Sequence, residues 1–445
     1  MMFTQRQITA LLIPLMLEQI LSGLMGIADT MMVTAVGESA ISAVSLVDTI
    51  NTLMLNLLSA LAAGGVIVCS QYLGREQAAL ANNAARQVLI VSLGLGAGMM
   101  ALCLALRRPL LSLIFGAVEQ SVMEQALDYF FITALSYPFL AAQQTAAAVF
   151  RAGRNSTPPM IVAAVANGVN IAGNAVLIFV LHQGVVGAAL ATLASRIVSA
   201  VVLLALLRSP RLAVSIRDYR RIRPDRAVIG TVLRVGVPTG VENAMFQLGK
   251  LMVQSTVATF YTAAIAAHAM AQTLDMVQAM PSMAVGIGLL TVVGQCMGAG
   301  RVEEAKTYTR RFCLLSEGLL AVMSLLVVAM TPVVTTVSKM TPESAGLTFR
   351  LLLLISAGKL ALWVAAFTLP QGMRAAGDVR FSAWMSAASM WIFRVGLCMV
   401  LCRGLGVGLY GVWIAWLCDW LCRGSVYILR FRSGRWTAKQ VLRGD

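Results

Sequence analysis

The stretch IPLMLEQ, residues 13–19, returns 224 residues later as VPTGVEN, residues 237–243, with its proline and glutamate in the same places. The same offset, without a gap, aligns further residues of uncommon types: Gly64 with Gly288, Gln71 with Gln295, Gly74 with Gly298, Gly153 with Gly377 and Gly187 with Gly411. Chance matches of alanine or isoleucine mean little in an apolar chain, but this register is hard to explain by chance. The sequence therefore predicts an internal duplication.

The composition indicates that the lipid bilayer is the solvent of this chain. Of its 445 residues, 59% are hydrophobic and only 12% are charged, which is too little polar surface for a soluble protein of this size. The sequence also contains neither a cluster of catalytic side chains nor an extramembrane segment large enough to hold one. These features argue against an enzyme.

Twelve long apolar stretches divide evenly between the two copies, and each is long enough to cross a membrane as a helix. We predict an all-α integral membrane protein whose twelve transmembrane helices form two parallel repeats of six, because an even number of spans starts both halves on the same side. The predicted lobes are residues 1–207 and 229–445, joined by a basic cytoplasmic linker at 208–228. The predicted spans are 8–35, 43–72, 86–106, 124–149, 158–181, 185–207, 230–258, 264–296, 312–335, 346–370, 381–402 and 407–429.

The positive charge follows the predicted topology. The net charge is +15, and most of the 34 Lys and Arg residues fall in the segments that lie inside if the N-terminus is cytoplasmic. The densest run is the linker, from Arg208 to Arg226. This asymmetry obeys the positive-inside rule and favours contact with membrane lipids over nucleic acid. We expect a multi-pass protein of the inner or plasma membrane with both termini cytoplasmic.

The sequence predicts no bound cofactor. A duplicated membrane bundle of this kind is typical of a transporter. No nucleotide-binding loop of the form GxxxxGK[ST] is present, so an ion gradient would drive transport unless a separate ATPase subunit exists. The eight cysteines lie in or beside apolar spans without the spacing of a zinc site, and packing is the expected role.

Several motifs together resemble one transporter family. The run IPLMLEQILSGLMGIADTMMVTAVG (13–37) is similar to the first helix of the MATE (multidrug and toxin extrusion) transporters, within the wider group of multidrug, oligosaccharide and lipid exporters. The resemblance extends over essentially the whole chain, through SQYLGRE (70–76), FRAGRNSTPPM (150–160), GVVGAALATLAS (184–195), VVGQCMGAGR (292–301) and MRAAGD (373–378). It implies two six-helix lobes in a V shape around a central cavity, worked by alternating access.

The resemblance also implies a cation-coupling site in the N-terminal lobe. Asp29 matches the family's first-helix aspartate, Asn170 its fifth-helix asparagine and Thr192 its sixth-helix threonine, while Asn174 stands where some members carry a second aspartate. One carboxylate, two amides and a hydroxyl make an oxygen-rich site suited to Na⁺, which would then be the metal ligated by these four residues. Alternatively, Asp29 alone binds a proton.

Other polar residues within the spans are candidates for the substrate cavity, because ionisable groups in a membrane mark functional sites by default. Glu18 and Glu242 are duplicates of each other, each four residues after a helix proline. The remaining candidates are Gln19, Lys250, Asp275, Lys359 and Arg394. If the lysines pair with acidic residues they are structural, and if they do not they would attract an anionic substrate.

The sequence thus favours a monomeric secondary transporter that exports amphipathic small molecules, expected to be cationic, in exchange for Na⁺ or H⁺. A lipid or oligosaccharide flippase of the same wider group would share the duplicated architecture. The third hypothesis is a membrane receptor or scaffold that transports nothing.

Overall fold

The computed structural model describes residues 2–116, 119–217, 219, 223–438 and 441–442, and the ordered elements in these ranges are all helical. The helices are α1 (Gln5–Thr34), α2 (Glu38–Gly74), α3 (Ala78–Ala105), α4 (Arg107–Phe115), α5 (Gln120–Leu135), α6 (Tyr137–Ala152), α7 (Thr157–Val180), α8 (Gly184–Leu206), α9 (Arg226–Val257), α10 (Thr262–Gly298), α11 (Val302–Val337), α12 (Pro342–Ala375), α13 (Val379–Gly404) and α14 (Leu409–Arg432). A short 3₁₀ turn, Arg435–Ala438, follows.

Each of the twelve predicted spans corresponds to helical chain, which confirms the all-α membrane fold. Within the described ranges, ten helices are individually long and apolar enough to cross a membrane. The fourth predicted span is made of α5 and α6, which separate at Ser136 because Pro138 starts a new helix there. The seventh is α9, whose apolar character is reduced by Arg234, Glu242 and Lys250. Leucine and valine side chains project outward from the spans, as on α11, where Leu325 is 75% exposed.

Several helices begin before the predicted spans, as α3 and α1 illustrate. Helix α3 begins at Ala78, well before the predicted residue 86, because it includes two turns around Asn82 and Asn83 that precede the apolar stretch. Helix α1 begins with a capping box, in which the Thr4 hydroxyl accepts from the Gln7 amide and the Gln7 side chain accepts from the Thr4 amide. Both helices extend beyond the apolar stretch that marks the membrane.

The chain forms two compact units, Phe3–Gly240 and Val241–Asp445, the second including Met1–Met2. The N-terminal unit packs a core of buried aliphatic and aromatic residues from α2, α3, α5, α6 and α8, which includes Val47, Phe130 and Tyr137. The core of the C-terminal unit is richer in tryptophan and centres on Trp413, Trp416 and Trp420 of α14.

The predicted linker packs onto α3 within the N-terminal unit. The Ser215 amide donates to Asn82 Oδ1, and the Gln87 side chain donates to the Arg223 carbonyl. Asp225 then caps α9, because its carboxylate accepts from the Ala227 and Val228 amides. Arg220 and Arg221 of the linker, and Lys439 and Arg443 of the predicted cytoplasmic tail, lie outside the described residues.

Within the N-terminal unit, the first half of α9 lies against the backbone of α2. A Cβ placed on Gly64 of α2 would lie 3.1 Å from the Gly236 nitrogen and 3.2 Å from its Cα on α9. Gly240 follows one helical turn later and faces Ala60, which makes the close contact a small-residue interface of the GxxxG type.

We expect Gly64→Val to destabilise the protein by about 1–3 kcal/mol, because the added methyl groups must push α9 away from α2. The fraction of detergent-solubilised protein that remains monodisperse after heating would measure the loss. Gly94→Val on α3 is the matched control, since a Cβ there meets nothing within 4 Å. Equal melting of the two variants would contradict the close-contact explanation.

Candidate functional site

A hydrogen-bonded chain of side chains in the N-terminal unit joins all four residues of the predicted cation site. Asn174 Nδ2 donates to Asp29 Oδ1 at 2.5 Å and to Asn170 Oδ1 at 3.3 Å, and Asn170 Nδ2 donates to Thr192 Oγ1 at 3.4 Å. Both asparagines are fully buried, whereas Asp29 is only partly buried. The structure therefore brings α1 together with the consecutive helices α7 and α8, across 145 residues of sequence between Asp29 and Asn174.

Local packing explains how this hydrogen-bonded chain of side chains forms. Asn170 and Asn174 are four residues apart on α7 and share one face of the helix. Gly173 allows α8 to approach, since a Cβ on it would lie 2.9 Å from the Ala191 Cβ, and Thr192 is the next residue of α8. Immediately after Asn174 the helix widens into π turns over Ala175–Val180, a feature that is frequent at functional sites.

The donors and acceptors of this chain fit a small cation. Asn174 uses its amide nitrogen for both bonds, so its buried Oδ1 has no hydrogen-bond partner among the described residues. An unsatisfied buried oxygen beside a carboxylate and a hydroxyl is the arrangement that a hard monovalent cation would complete. Protonation of Asp29 would neutralise the same site without using that oxygen.

A second acidic residue, which the sequence analysis overlooked, lies beside this chain. Asp48 of α2 accepts from Asn51 Nδ2 at 3.2 Å and from the Tyr129 hydroxyl at 3.4 Å, and its charge interacts with that of Asp29. Arg196 of α8 interacts electrostatically with both carboxylates and donates to the Ser136 hydroxyl. A carboxylate within a long apolar span was the sequence signal for Asp48. With all three side chains ionised, Asp29, Asp48 and Arg196 together carry one net negative charge.

Glu18 and Glu242, predicted as cavity residues, are each engaged in an ion pair within their own unit. Arg151 at the end of α6 contacts Glu18, and Arg374 at the end of α12 donates to Glu242 Oε1 at 2.6 Å and Oε2 at 2.8 Å. All four side chains are 11–12% exposed. The pairing is duplicated, so that each glutamate has an arginine partner in its own unit. Gln19 is partly exposed on α1, beside Glu18.

The other candidates form a charged cluster inside the C-terminal unit. Lys359 is completely buried and contacts Asp275 Oδ1 at 2.7 Å, as expected for a structural pair. Arg394 is 4% exposed and lies over the Trp416 ring, with Asp419 at 3.7 Å. Lys250 is exposed on α9 and lies over the Phe246 ring. Lys250, Asp275, Lys359 and Arg394 therefore lie close together, and three of these four side chains are positively charged.

Comparison with known proteins agrees with the duplicated architecture. The family model MatE matches residues 14–176 and again residues 238–400. These two segments are displaced by the same 224 residues as the duplicated motifs, which confirms the internal repeat.

Relatives match along nearly the whole chain. The uncharacterized transporter YisQ of Bacillus subtilis is 24% identical over 438 residues, which cover 96% of this chain and 94% of YisQ. A probable multidrug resistance protein NorM of Thermotoga maritima is 24% identical over 457 residues, covering 98% and 94% of the two chains. Among solved structures, a MOP superfamily transporter from Pyrococcus furiosus, whose binding pocket is described as having reverse polarity, superposes with a TM-score of 0.88. That superposition covers 97% of this chain and 96% of the other, at 23% identity, and shows a shared fold.

Proposed function

This chain belongs to the MATE family of membrane transporters, and from that premise we propose that it exports amphipathic organic compounds in exchange for an inward flow of Na⁺ or H⁺. The exchange would proceed by alternating access. The observation that carries the proposal is the hydrogen-bonded chain of Asp29, Asn174, Asn170 and Thr192. Relatives named as multidrug resistance proteins support the choice of substrates.

Coupling would work through the hydrogen bond between Asp29 and Asn174. In its charged form Asp29 accepts strongly from the Asn174 amide and holds α1 against α7. A proton or Na⁺ at the carboxylate would compete with this bond and weaken it. A separate bond, from Asn167 Nδ2 to the Leu21 carbonyl, would still hold the two helices together. The state of Asp29 would thus change how α1 packs without releasing it from the unit.

We further propose that the protein is a monomer in the inner or plasma membrane with both termini in the cytoplasm. The clustering of Arg and Lys in the predicted inner segments supports this orientation.

A transport assay with purified protein in sealed vesicles tests the proposal. We expect ethidium loaded into the vesicles to leave when an inward gradient of Na⁺ or of H⁺ is imposed. Efflux should stop when monensin collapses the Na⁺ gradient or nigericin collapses the H⁺ gradient, and the effective ionophore identifies the coupling ion. Vesicles without protein measure the leak. Ethidium efflux equal to that leak under both gradients would contradict cation-coupled export of this compound.

Flipping of an anionic lipid is a second candidate, favoured by the exposed Lys250 beside Arg394. In that case fluorescently labelled phosphatidylglycerol placed in one leaflet should reach the other without an ion gradient. Loss of its fluorescence to an impermeant reductant would measure the movement.

A further inference from the structure

The cation site of the N-terminal unit has a counterpart of opposite polarity in the C-terminal unit. The 224-residue offset places Arg394 where the first copy has Asn170, and Trp416 where it has Thr192. The contact between the two positions is preserved, because the Arg394 guanidinium lies 4.3 Å from the centre of the Trp416 ring. At the position of Asp29 the second copy has Val253. The duplicated site has therefore lost its carboxylate and gained a cation.

The charge of Arg394 is not neutralised by a hydrogen-bonded partner. Its nearest carboxylate, Asp419, already accepts from Arg423 at 2.5 Å and from the Ser389 hydroxyl at 2.6 Å. Arg394 Nε is 3.7 Å from Asp419, beyond hydrogen-bond distance, and has no hydrogen-bond partner among the described residues. The side chain is nevertheless only 4% exposed. A buried guanidinium with an unused donor is costly unless something else binds it.

Lys250 adds a second positive charge to the same place. Its Nζ is 5.6 Å from the centre of the Phe246 ring, and the Arg394 guanidinium is 5.0 Å from the same ring. Gly249 permits this proximity, since a Cβ on it would lie 2.5 Å from the Met390 Cε of α13. Within the described chain, Lys250 forms no ion pair with a carboxylate. It is exposed, so a ligand can reach it.

The surrounding charges leave an excess of two cations. Lys359 is paired with Asp275, and Arg423 with Asp419, so that each of the two carboxylates is already matched. Lys250 and Arg394 remain. Like charges inside a membrane-spanning bundle repel each other and are unfavourably solvated, and an anion bound between them would offset both terms.

We propose that Lys250 and Arg394, with Phe246 and Trp416, form a site in the C-terminal unit for the anionic group of an amphipathic compound. Carboxylates, sulfonates and phosphates share this chemistry. Arg394 Nε supplies a charged hydrogen-bond donor and Trp416 Nε1 a neutral one. Neither nitrogen has a hydrogen-bond partner among the described residues. The ring of Phe246 offers a surface for the apolar part of the ligand. The inference rests on the proposed export function and extends the expected substrates from cationic to anionic amphipathic compounds.

Binding of 11-(dansylamino)undecanoic acid to purified protein in nanodiscs of phosphatidylcholine tests the site, with the methyl ester of the same compound as the uncharged probe. Dansyl fluorescence excited through tryptophan reports binding. We expect Lys250→Gln to weaken binding of the acid about tenfold and Arg394→Gln to weaken it at least as much, since each removes a charge-assisted contact. Arg394→Lys keeps the positive charge but loses the planar guanidinium with its several N–H donors. It should therefore weaken binding of the acid less than Arg394→Gln does.

Arg403→Gln is the matched control, because it removes an exposed cation from the same helix as Arg394. It should bind the acid with unchanged affinity, and the ester should respond to none of the substitutions. Lys250 is exposed, so Lys250→Gln gives a result even if Arg394→Gln fails to fold. Equal binding of acid and ester to the unmodified protein, or an unchanged affinity for the acid in Lys250→Gln, would overturn the proposal.

Adding phosphatidylglycerol to the nanodiscs distinguishes the two sources of such an anion. Competition with the acid that disappears in Lys250→Gln identifies a lipid headgroup as a ligand of the site, and absence of competition identifies free organic anions. No gradient is present in this assay. Its failure is therefore separate from failure of the vesicle experiment, which tests ion-driven export.

Discussion

Asp29→Asn is expected to abolish ion-driven efflux while leaving the protein folded. The substitution keeps the shape of the side chain and its ability to accept from Asn174, so the packing of α1 on α7 should survive. It removes the carboxylate, which is the group that a proton or Na⁺ must neutralise. A charged contact of this kind contributes about 1.5–3 kcal/mol, and its loss corresponds to a decrease of roughly tenfold to a hundredfold in ion affinity. Initial efflux rates in vesicles under each gradient would measure the effect.

Two further carboxylates make this experiment specific. Asp128→Asn is the matched control, because Asp128 is exposed on α5 and should tolerate the change without loss of efflux. Asp48→Asn tests the neighbouring acid, whose charge interacts with those of Asp29 and Arg196. If Asp29→Asn still responds to the gradient and Asp48→Asn does not, the coupling carboxylate is Asp48 and the assignment of Asp29 is wrong.

The duplication made most of the architecture predictable. Proline, glutamate and glycine at a constant offset identified two copies of six spans, and the apolar stretches located the helices. The same motifs led to Asp29, Asn170, Asn174 and Thr192, which the structure joins in one hydrogen-bonded chain. Their proximity was predictable because the contact between Asn170 and Asn174 is local to one helix and because the other two residues lie in segments that resemble a family.

Contacts between segments that are distant in sequence could not be predicted from these motifs. Asp48 is the single charged residue of its predicted span, and only the folded chain places it beside Asp29. Arg394 aligns with Asn170, but the sequence alone did not determine whether it would be paired, since Asp419 could have bound either Arg394 or Arg423. The sequence comparison also did not predict that Glu18 and Glu242 each pair with an arginine. The two arginines do not align at the 224-residue offset, because 133 residues separate the first pair and 132 the second.

Glu242→Gln is expected to lower the free energy of unfolding by about 3 kcal/mol. The substitution leaves the Arg374 guanidinium without its bidentate partner in a place where both side chains are only 11–12% exposed. Removing one member of a buried pair typically costs 3–5 kcal/mol because the other charge stays uncompensated, and the residual exposure places this pair at the lower end. Unfolding of the purified protein in mixed micelles with increasing dodecyl sulfate would measure the change.

A double-mutant cycle isolates the pair from other effects of the substitution. Because Arg374→Gln in the Glu242→Gln background removes the uncompensated charge, the double variant should be less destabilised than the sum of the two single variants. Glu303→Gln is the matched control, since Glu303 pairs with Lys306 while 85% exposed and should change stability by no more than about 0.5 kcal/mol. If Glu242→Gln unfolds like Glu303→Gln but transports a different range of compounds, Glu242 belongs to the substrate cavity rather than to the structural pair. The two roles are separable because a structural pair affects stability for every substrate equally, whereas a cavity residue changes the relative rates of different substrates.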